Sequence, residues 1–256
     1  LSRSCQNRLL GVTSPLTAEI EQAIARTPQL FPEHPAVACQ GVEGANSQVA
    51  CDRLLPRGSI LYVKTFDAVV SAVESGLCKF GVLPIENSSN GSVRAVYSLL
   101  QQHQLSVVRS TRLCIRHELL AMPGVKLEDI TEIYSHQQAI GQCSRFLSSL
   151  SGVRVIPCDN TAAAAKWVAD KGEISLAAIG SRHAAKLYGL TVLAEGINSN
   201  RENFTRFVVV SPLPELREGR NKISAMFTLA HESGTLHRVM TVFATGGLNL
   251  MKLESR

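Results

Sequence analysis

Short apolar runs alternate with amphipathic segments along most of the chain. The runs at 36–40, 59–64 and 79–85 are bounded by polar residues and predict strands. After Thr65, apolar side chains recur three and four residues apart until Gly76, which predicts a helix that Thr65 caps and the glycine ends. This order of strand, helix and strand predicts a mostly parallel sheet with helices on both of its faces.

The same pattern begins again after Pro123-Gly124, which breaks the chain. Strands are predicted at 130–135, 153–157 and 176–180, helices at 136–150 and 160–169, and further extended segments at 105–115, 190–194 and 204–210. A repeated set of strands and helices predicts two lobes. A cleft between two lobes is the usual location of a small polar ligand.

The two ends of the chain have patterns of their own. Apolar spacing predicts a helix over 15–26, and three prolines between 28 and 35 then indicate a linker. A second linker is predicted after Val210, where two prolines and a charged run follow. Beyond that linker the pattern predicts, in order, a strand at 222–230, a helix at 235–245 and a strand from Asn249. The chain is therefore divided into residues 1–35, 36–212 and 221–256.

The run NFTRF at 203–207 places a hydroxyl and a guanidinium directly before the apolar run 208–210. Burying an arginine is costly unless an anion meets it, and the planar guanidinium suits a carboxylate. Arg206 is therefore expected either to form a structural ion pair or to bind a carboxylate of a ligand. Polar clusters at 84–92 and 135–138 also follow apolar runs, at the strand ends where open α/β sheets bind their ligands.

Three other stretches give weaker signals. Gly41 and Gly44 follow the first strand and predict a close approach of the backbone to a ligand or to a neighbouring loop. His136 begins a predicted helix, where it is expected either to cap that helix or to contact a ligand. The alanines after Thr161 begin another predicted helix, and they let a ligand or the opposite lobe approach its backbone.

Composition narrows the class of protein. The chain has 256 residues, of which 45% are hydrophobic and 18% charged, as expected for a globular protein. Its net charge of +5 is scattered, which disfavours nucleic acid as a partner but helps to attract a small anion. The seven cysteines are far apart and odd in number, so reduced thiols in the cytoplasm are expected. No apolar stretch predicts a membrane span and no signal peptide opens the chain, while Leu1 marks a fragment or a processed piece.

Several motifs occur together in a fixed order. They are GVEGANS, FGVLPIENSSNGSV, SHQQAIGQCS, NTAAAA, AAIGS with YGL, NFTRF, SGTL and ESR. On these motifs, residues 36–256 resemble the prephenate dehydratase family followed by a regulatory ACT domain. The opening LSRSCQNRLL is similar to the end of the last helix of a chorismate mutase domain, which suggests a bifunctional mutase–dehydratase as the parent protein.

The resemblance implies a fold and a reaction. The fold is α/β, with two lobes like a type II periplasmic binding protein, followed by a ferredoxin-like ACT domain that is truncated here. The reaction turns prephenate into phenylpyruvate, water and carbon dioxide, a carbon–oxygen lyase activity in phenylalanine biosynthesis that needs no metal or other cofactor. Feedback inhibition by phenylalanine and assembly as a homodimer or tetramer are also implied.

The resemblance further implies sets of functional residues that line one groove between the lobes or bind the inhibitor. The expected catalytic residues are Thr205, Glu86, Asn87 and Gln142. The expected substrate-binding residues are Arg206, Phe207, Ser89 and Ser135, to which the helix start adds Thr161. The expected phenylalanine-binding residues are Gly234, Thr235, Leu236, Asn249, Glu254, Ser255 and Arg256.

The chemistry of these side chains suggests roles. Thr205 is expected to donate a hydrogen bond to the leaving hydroxyl group, with Glu86 or water as the proton source. Arg206 and the helix amino termini near Ser89 and Thr161 are expected to hold carboxylates. Two alternatives stay open: an arogenate dehydratase, whose substrate carries an amine in place of the keto group, and a non-catalytic binding protein that senses an amino acid.

Overall fold

The computed structural model describes residues 15–28, 31–103, 105–200, 202–217, 222–225 and 227–254. The chain divides into two units, one made of Thr27–Leu216 and the other of Leu1–Arg26 with Arg217–Arg256. None of the helices in these described ranges is long and apolar enough to cross a bilayer.

Strands and helices are interspersed along the chain. The strands are β1 (Ala36–Gln40), β2 (Ser59–Val63), β3 (Phe80–Asn87), β4 (Gly91–Ser92), β5 (Ser106–Cys114), β6 (Glu118–Ala121), β7 (Glu132–His136), β8 (Arg154–Cys158), β9 (Leu176–Gly180), β10 (Thr191–Ala194) and β11 (Phe204–Ser211). The helices are α1 (Pro15–Arg26), α2 (Asn46–Leu54), α3 (Phe66–Glu74), α4 (Arg94–Gln102), α5 (Gln137–Gln142), α6 (Ser144–Leu147), α7 (Thr161–Lys171), α8 (Arg182–Tyr188) and α9 (Thr235–Thr245), with a 3₁₀ turn at Leu127–Asp129.

The larger unit contains two sheets, and each sheet is the centre of one lobe. The sheet of the first lobe has the order β2-β1-β3-β11-β5, with β4 pairing with β3. The sheet of the second lobe has the order β10-β6-β9-β7-β8. The two predicted lobes are thus confirmed.

Both sheets are mixed, so the prediction of a mostly parallel sheet was wrong in part. Strands β1, β2 and β3 are parallel, but β11 runs antiparallel to both β3 and β5. In the second lobe, β6 is antiparallel to β9 and β10. The reason is topological, because strands that enter a lobe from the other lobe start at the opposite end of its sheet.

Each sheet buries apolar side chains on both faces. In the first lobe, Cys51 of α2 packs with Phe80, Phe207 and Val209 on one face, while α3 and α4 cover Leu83 on the other. In the second lobe, α7 and α8 cover one face and α5 and α6 cover the other. Strands buried on both faces explain why their sequences read as continuous apolar runs.

Local signals in the sequence account for several element boundaries. The Thr65 hydroxyl accepts a hydrogen bond from the Ala68 amide at 3.1 Å and caps α3 as predicted. At Gly81, a Cβ atom would lie 2.8 Å from Val69, so the glycine is what lets α3 pack closely on β3. The predicted helix at 136–150 is interrupted at Cys143, whose backbone angles of −109° and 14° are not helical.

Several short elements were missed, and the carboxyl-terminal unit differs from expectation. Strand β6 and helix α8 are short, and short elements give a weak periodic signal. In the smaller unit, α9 forms over the predicted residues 235–245. The predicted strands at 222–230 and from Asn249 are absent among the described residues, because a strand needs a paired neighbour and none of those residues forms one.

Candidate active site

The chain passes twice between the lobes, and the two passages lie against each other. The first passage is residues 115–117, and the second is residues 195–200 with residues 202 and 203. The Ile115 amide donates to the Asn203 carbonyl at 2.7 Å, and the Ile197 amide donates to the His117 carbonyl at 2.9 Å. We call these two passages the crossover junction, which fixes the polar side chains around it relative to both lobes.

A chain of hydrogen-bonded side chains runs through this junction. Asn87, at the end of β3, donates its Nδ2 protons to Asn203 Oδ1 and to Thr205 Oγ1, both at 2.9 Å. Asn203 Nδ2 donates to Gln142 Oε1 at 3.0 Å. Gln142 ends helix α5 of the second lobe, so this amide network joins side chains of both lobes.

The direction of every bond in the amide network is fixed from one end. Asn87 Oδ1 accepts the backbone amides of Ser89 and Asn90 at 2.9 and 3.1 Å, and a backbone amide can only donate. Asn87 Nδ2 must therefore face Thr205, whose oxygen accepts. The hydroxyl proton of Thr205 is left to donate to another group.

Gln142 Oε1 accepts a second hydrogen bond. His117 is 4% exposed, and its Nε2 lies 2.9 Å from Gln142 Oε1. Burial lowers the pKa of His117, which favours the neutral ring. Because the atom of Gln142 that accepts from Asn203 is its oxygen, that oxygen can only accept from His117, and this assigns the ring proton to Nε2. Because both acceptor positions of Oε1 are then used, the Nε2 protons of Gln142 point away from the network and are free to bind a ligand.

Arg206 and Glu86 do not share a face of the sheet with Thr205. In the register of β3 and β11, Thr205 pairs with Asn87 and Arg206 pairs with Glu86. Consecutive residues of a strand point to opposite faces, so the hydroxyl and the guanidinium diverge. Arg206 Nη1 lies 3.9 Å from Glu86 Oε2, which agrees with the ion pair that the sequence left open. The expectation that both residues face one groove with Thr205 is not met.

Two predicted substrate contacts are buried in the lobes instead. Phe207 is 3% exposed and packs in the core beside Val209, because it lies inward of the strand end. Ser135 is fully buried, and its hydroxyl donates to the Ile179 carbonyl at 2.8 Å. Both side chains stabilise a lobe, and neither is placed to bind substrate.

The predicted helix amino termini are occupied by protein groups. The Ser89 amide is used by Asn87, and the Ser89 side chain is exposed. Thr161 begins α7, which Asn160 caps by accepting the Ala163 amide at 2.7 Å. The hydrogen bonds of the amide network do not include Thr161. His136 caps α5 through its Nδ1, at 3.3 Å from the Gln138 amide, so the capping role is the one observed.

A second contact joins the lobes away from the crossover junction. The Tyr188 hydroxyl of α8 donates to the Glu43 carbonyl at 2.6 Å, and the Ser181 hydroxyl lies 3.5 Å from the Gly44 carbonyl. A Cβ atom on Gly44 would lie only 3.2 Å from Leu187. The predicted close approach at this glycine therefore involves the other lobe, and we call it the loop contact.

The residues expected to bind phenylalanine lie in the smaller unit. Gly234 precedes α9 with a φ of 82°, and the Thr235 hydroxyl donates to the Glu232 carbonyl at 2.9 Å. The side chains of Leu236, Asn249 and Glu254 are exposed. The last two expected residues, Ser255 and Arg256, lie outside the described residues.

Surface cavities lie away from the amide network. One of about 500 Å³ is lined by residues of the second lobe, including Lys126, Glu128 and Ser151. Another of about 450 Å³ is lined by residues of the first lobe, including Phe31 and Arg109. Neither contains a predicted site residue, so the crossover junction remains the candidate site. Six cysteines lie in the described residues, and all six are free thiols, as predicted.

Two residues of the network were missed from the sequence. Asn203 is 1% exposed and links Asn87 to Gln142. It stands at the head of the NFTRF run, so its position two residues before Thr205 was the available signal. His117 is a single imidazole between two apolar runs, and its spacing gives no sign that it reaches Gln142.

Two mixed α/β lobes, with polar side chains of both meeting where the chain crosses, define a two-lobed α/β protein of the kind that binds small ligands between its lobes. Residues 37–214 match the family described as prephenate dehydratase. The chain belongs to the prephenate dehydratase family.

Plant proteins are among the most similar curated relatives. The chain is 40% identical over 222 residues to arogenate dehydratase/prephenate dehydratase 1, chloroplastic, of Arabidopsis thaliana, which covers 86% of this chain and 56% of that protein. It is 41% identical over 222 residues to arogenate dehydratase 2 of Petunia hybrida, with the same coverage of both. The chain thus spans a little more than half the length of these relatives.

Solved structures with the same fold support the assignment. A prephenate dehydratase of Arthrobacter aurescens in complex with L-Phe has a TM-score of 0.73 and 27% identity, covering 86% of this chain and 76% of that one. GqqA, described as a novel type of quorum quenching acylase, has a TM-score of 0.70 and 28% identity, covering 86% of this chain and 81% of that one.

The predicted cytoplasmic location is contradicted by the relatives. Proteins at 40% and 36% identity carry the description chloroplastic, which points to a plastid. Free cysteines had suggested the cytoplasm, but a reduced thiol reports only a reducing environment and does not identify the compartment.

Proposed function

We propose that the chain catalyses the decarboxylative dehydration of prephenate or of its amine analogue, arogenate. Membership of the family supports the reaction class. The observation that carries the proposal is the orientation of Thr205, whose oxygen accepts from Asn87 and whose proton is left to donate. A donor held in this way stabilises charge that develops on a leaving oxygen.

The reaction needs little chemistry from the protein. The bond between the ring and its carboxylate breaks, carbon dioxide leaves, and the electron pair enters the ring. The bond between the ring and the hydroxyl oxygen breaks in turn, and this oxygen takes one proton and leaves as water. The ring becomes aromatic, which drives the reaction, so the protein has to orient the substrate and stabilise the leaving oxygen.

Thr205 is proposed to donate its hydrogen bond to the leaving hydroxyl group. A threonine hydroxyl is a weak acid, so a separate proton source is needed. Glu86 lies on the opposite face of the sheet and 3.9 Å from Arg206, which favours water over Glu86 as that source. Arg206 is accordingly assigned to its ion pair.

Gln142 is proposed to bind a carboxylate or the keto group of the substrate through its Nε2 protons. Its Oε1 already accepts from His117 and Asn203, so the amide can offer only donors. Asn87 is proposed to act through Thr205, because both of its Nδ2 protons are used within the protein. These three amides and one hydroxyl form a site that comes from both lobes.

Turnover assays decide between the two substrates and test the proposal. The relatives include proteins named arogenate dehydratase and others named for both substrates, which makes arogenate the second candidate. The purified chain is incubated with each substrate alone, and phenylpyruvate is measured by ultraviolet absorbance and phenylalanine by amino-acid analysis. We expect at least one product to form faster than in buffer. Stabilisation of the fold by these ligands without either product would favour an amino-acid sensor and contradict the proposal.

We further propose that residues 221–256 are the first part of an ACT domain that binds phenylalanine as an inhibitor, in a protein that pairs through this domain. Helix α9 after Gly234 supports the proposal. The related Arthrobacter aurescens structure contains L-Phe, which is support from a relative. Inhibition of turnover by added phenylalanine, and its loss on replacing Gly234, would test the assignment. A parent protein with an upstream chorismate mutase domain stays a prediction.

A further inference from the structure

Both the backbone and the side chain of His117 are fixed at the crossover junction, although no function has yet been assigned to this residue. Its side chain is 4% exposed at the crossover junction. Its backbone amide donates to Asn198 Oδ1 at 2.7 Å, and its backbone carbonyl accepts the Ile197 amide at 2.9 Å. Both partners lie on the second passage between the lobes, so the backbone that carries the imidazole is fixed relative to both passages.

The ring of His117 meets the second lobe at a single polar atom. Its Nε2 lies 2.9 Å from Gln142 Oε1, which also accepts from Asn203 Nδ2 at 3.0 Å. Helix α5 is held to the same passage, because the Gln142 carbonyl accepts the Ser199 amide at 2.7 Å. The His117 bond thus acts on the side-chain amide of Gln142 while the backbone at that position is fixed separately.

An amide side chain has two ends of nearly equal size, so its orientation depends on its partners. If Gln142 were reversed, its Nε2 protons would face the Nε2 proton of His117 and the Nδ2 protons of Asn203. The donors of His117 and Asn203 together make the reversed orientation of Gln142 unfavourable. With only one of these donors present, the side-chain torsions of Gln142 beyond Cβ would be less restricted. His117 is the donor that comes from outside the Asn87 and Asn203 chain.

We propose that His117 is a positioning residue that orients Gln142 so that the Gln142 Nε2 protons point at the substrate. This inference rests on the proposed function for its kinetic consequence, but the contact itself does not. His117 does not touch the reacting atoms. Its effect on turnover passes through Gln142, and this sets it apart from a residue that only stabilises the fold.

Two matched substitutions of His117 distinguish a residue that positions Gln142 from one that only stabilises the fold. In H117Q, the side-chain nitrogen of glutamine takes nearly the position of imidazole Nε2 and can still donate to Gln142. In H117N, the shorter amide reaches only the position of Nδ1. We expect H117N to lower kcat/KM about tenfold, the equivalent of one lost hydrogen bond, and H117Q to retain it within about threefold. Equal losses in the two variants, with both shown to be folded by circular dichroism, would contradict the inference.

A double-mutant cycle tests the path of the effect. Q142M keeps the length of the side chain and removes its amide. In the Q142M background, H117N is expected to change kcat/KM less than twofold, because the group it positions is gone. Independent effects that multiply would show that His117 acts on folding or through another group.

Nitrogen-15 NMR of the imidazole tests the geometry without any substitution. We expect Nε2 to carry the proton and Nδ1 to be unprotonated at neutral pH. Protonation at Nδ1 instead would overturn the inference even if the enzyme is active. Conversely, failure of the wild-type chain to convert prephenate or arogenate would refute the proposed function, and the NMR result would then decide by itself whether His117 donates to Gln142.

Discussion

Two contacts between the lobes, both formed by described residues, are built in different ways. At the crossover junction, the contacts are buried or half-buried side-chain amides, an imidazole and a hydroxyl, each with a defined donor or acceptor. At the loop contact, side chains of one lobe meet backbone carbonyls of Glu43 and Gly44, and close packing needs only the absence of a side chain at Gly44. The junction therefore depends on chemical identity and the loop contact on shape. Substitutions at the crossover junction are therefore expected to change catalysis, and substitutions at either contact are expected to change stability.

Replacing Thr205 with valine is expected to cause the largest loss of activity among these substitutions. T205V keeps the shape of the side chain and removes the donor to the leaving oxygen. We expect kcat to fall about 100-fold or more, as for loss of a positioned donor. The loss of stability should be smaller than in N203L, because valine removes only the acceptor of one Asn87 proton, at a half-buried site. Single-substrate assays measure the effect, with K186A on the exposed surface as control. Turnover within a few-fold of wild type would refute the role of Thr205.

Replacing Asn203 with leucine should damage both activity and stability. Asn203 is buried, and its loss leaves one donor of Asn87 and an acceptor of Gln142 without their partner. We expect the free energy of unfolding to fall by about 1–3 kcal/mol, measured by urea denaturation. N90A is the matched control, since Asn90 bonds to the network through its backbone only. Equal stability of N203L and wild type would mean that the network is not formed in solution.

The pH dependence of stability should report the buried imidazole of the junction. Burial lowers the pKa of His117 below its ordinary value of 6.5. Below that pH the unfolded chain binds a proton that the folded chain does not, so the free energy of unfolding decreases as the pH falls below about 6.5 and is unaffected above it. H117Q should flatten this dependence, whereas H183Q, at an exposed histidine, should not. The same slope in H117Q and wild type would exclude His117 as its source.

The loop contact should give the smallest effects, confined to stability. Y188F removes the hydrogen bond to the Glu43 carbonyl and should cost about 0.5–1.5 kcal/mol. G44A should destabilise by about 1 kcal/mol, because an alanine at a φ of 86° is strained and would also approach Leu187. Thermal unfolding measures both, and kcat should stay within about twofold of wild type. A loss of kcat as large as that in T205V would mean that the loop contact takes part in catalysis.

The contrast also explains what could be predicted from the sequence. The strands predicted at 79–85 and 204–210 follow from apolar periodicity and are observed as β3 and β11, with the polar residues Asn87 and Thr205 at their ends. The end of helix α5 at Gln142 was not predicted, because the periodicity continues to residue 150. Side-chain direction was not predicted either. The register of β3 and β11 shifts between Arg206 and Phe207, and a one-residue shift changes which face a side chain occupies.

Buried polar residues were the other failure of prediction. Ser135 lies in a polar cluster that was predicted to bind substrate, yet its hydroxyl donates to a carbonyl of a neighbouring strand. His117 looks like an isolated core histidine, yet it contacts Gln142. A sequence gives the type of each polar group, whereas its partner depends on tertiary contacts such as those between residues 117 and 142.

A crystal structure with a stable, doubly negative analogue of prephenate tests the central claim most directly. We expect Thr205 Oγ1 about 3 Å from the oxygen that stands for the leaving hydroxyl, with Gln142 Nε2 also in contact with the ligand. A ligand bound instead by Arg206 and Glu86, on the face of strand β11 away from Thr205, would contradict the account.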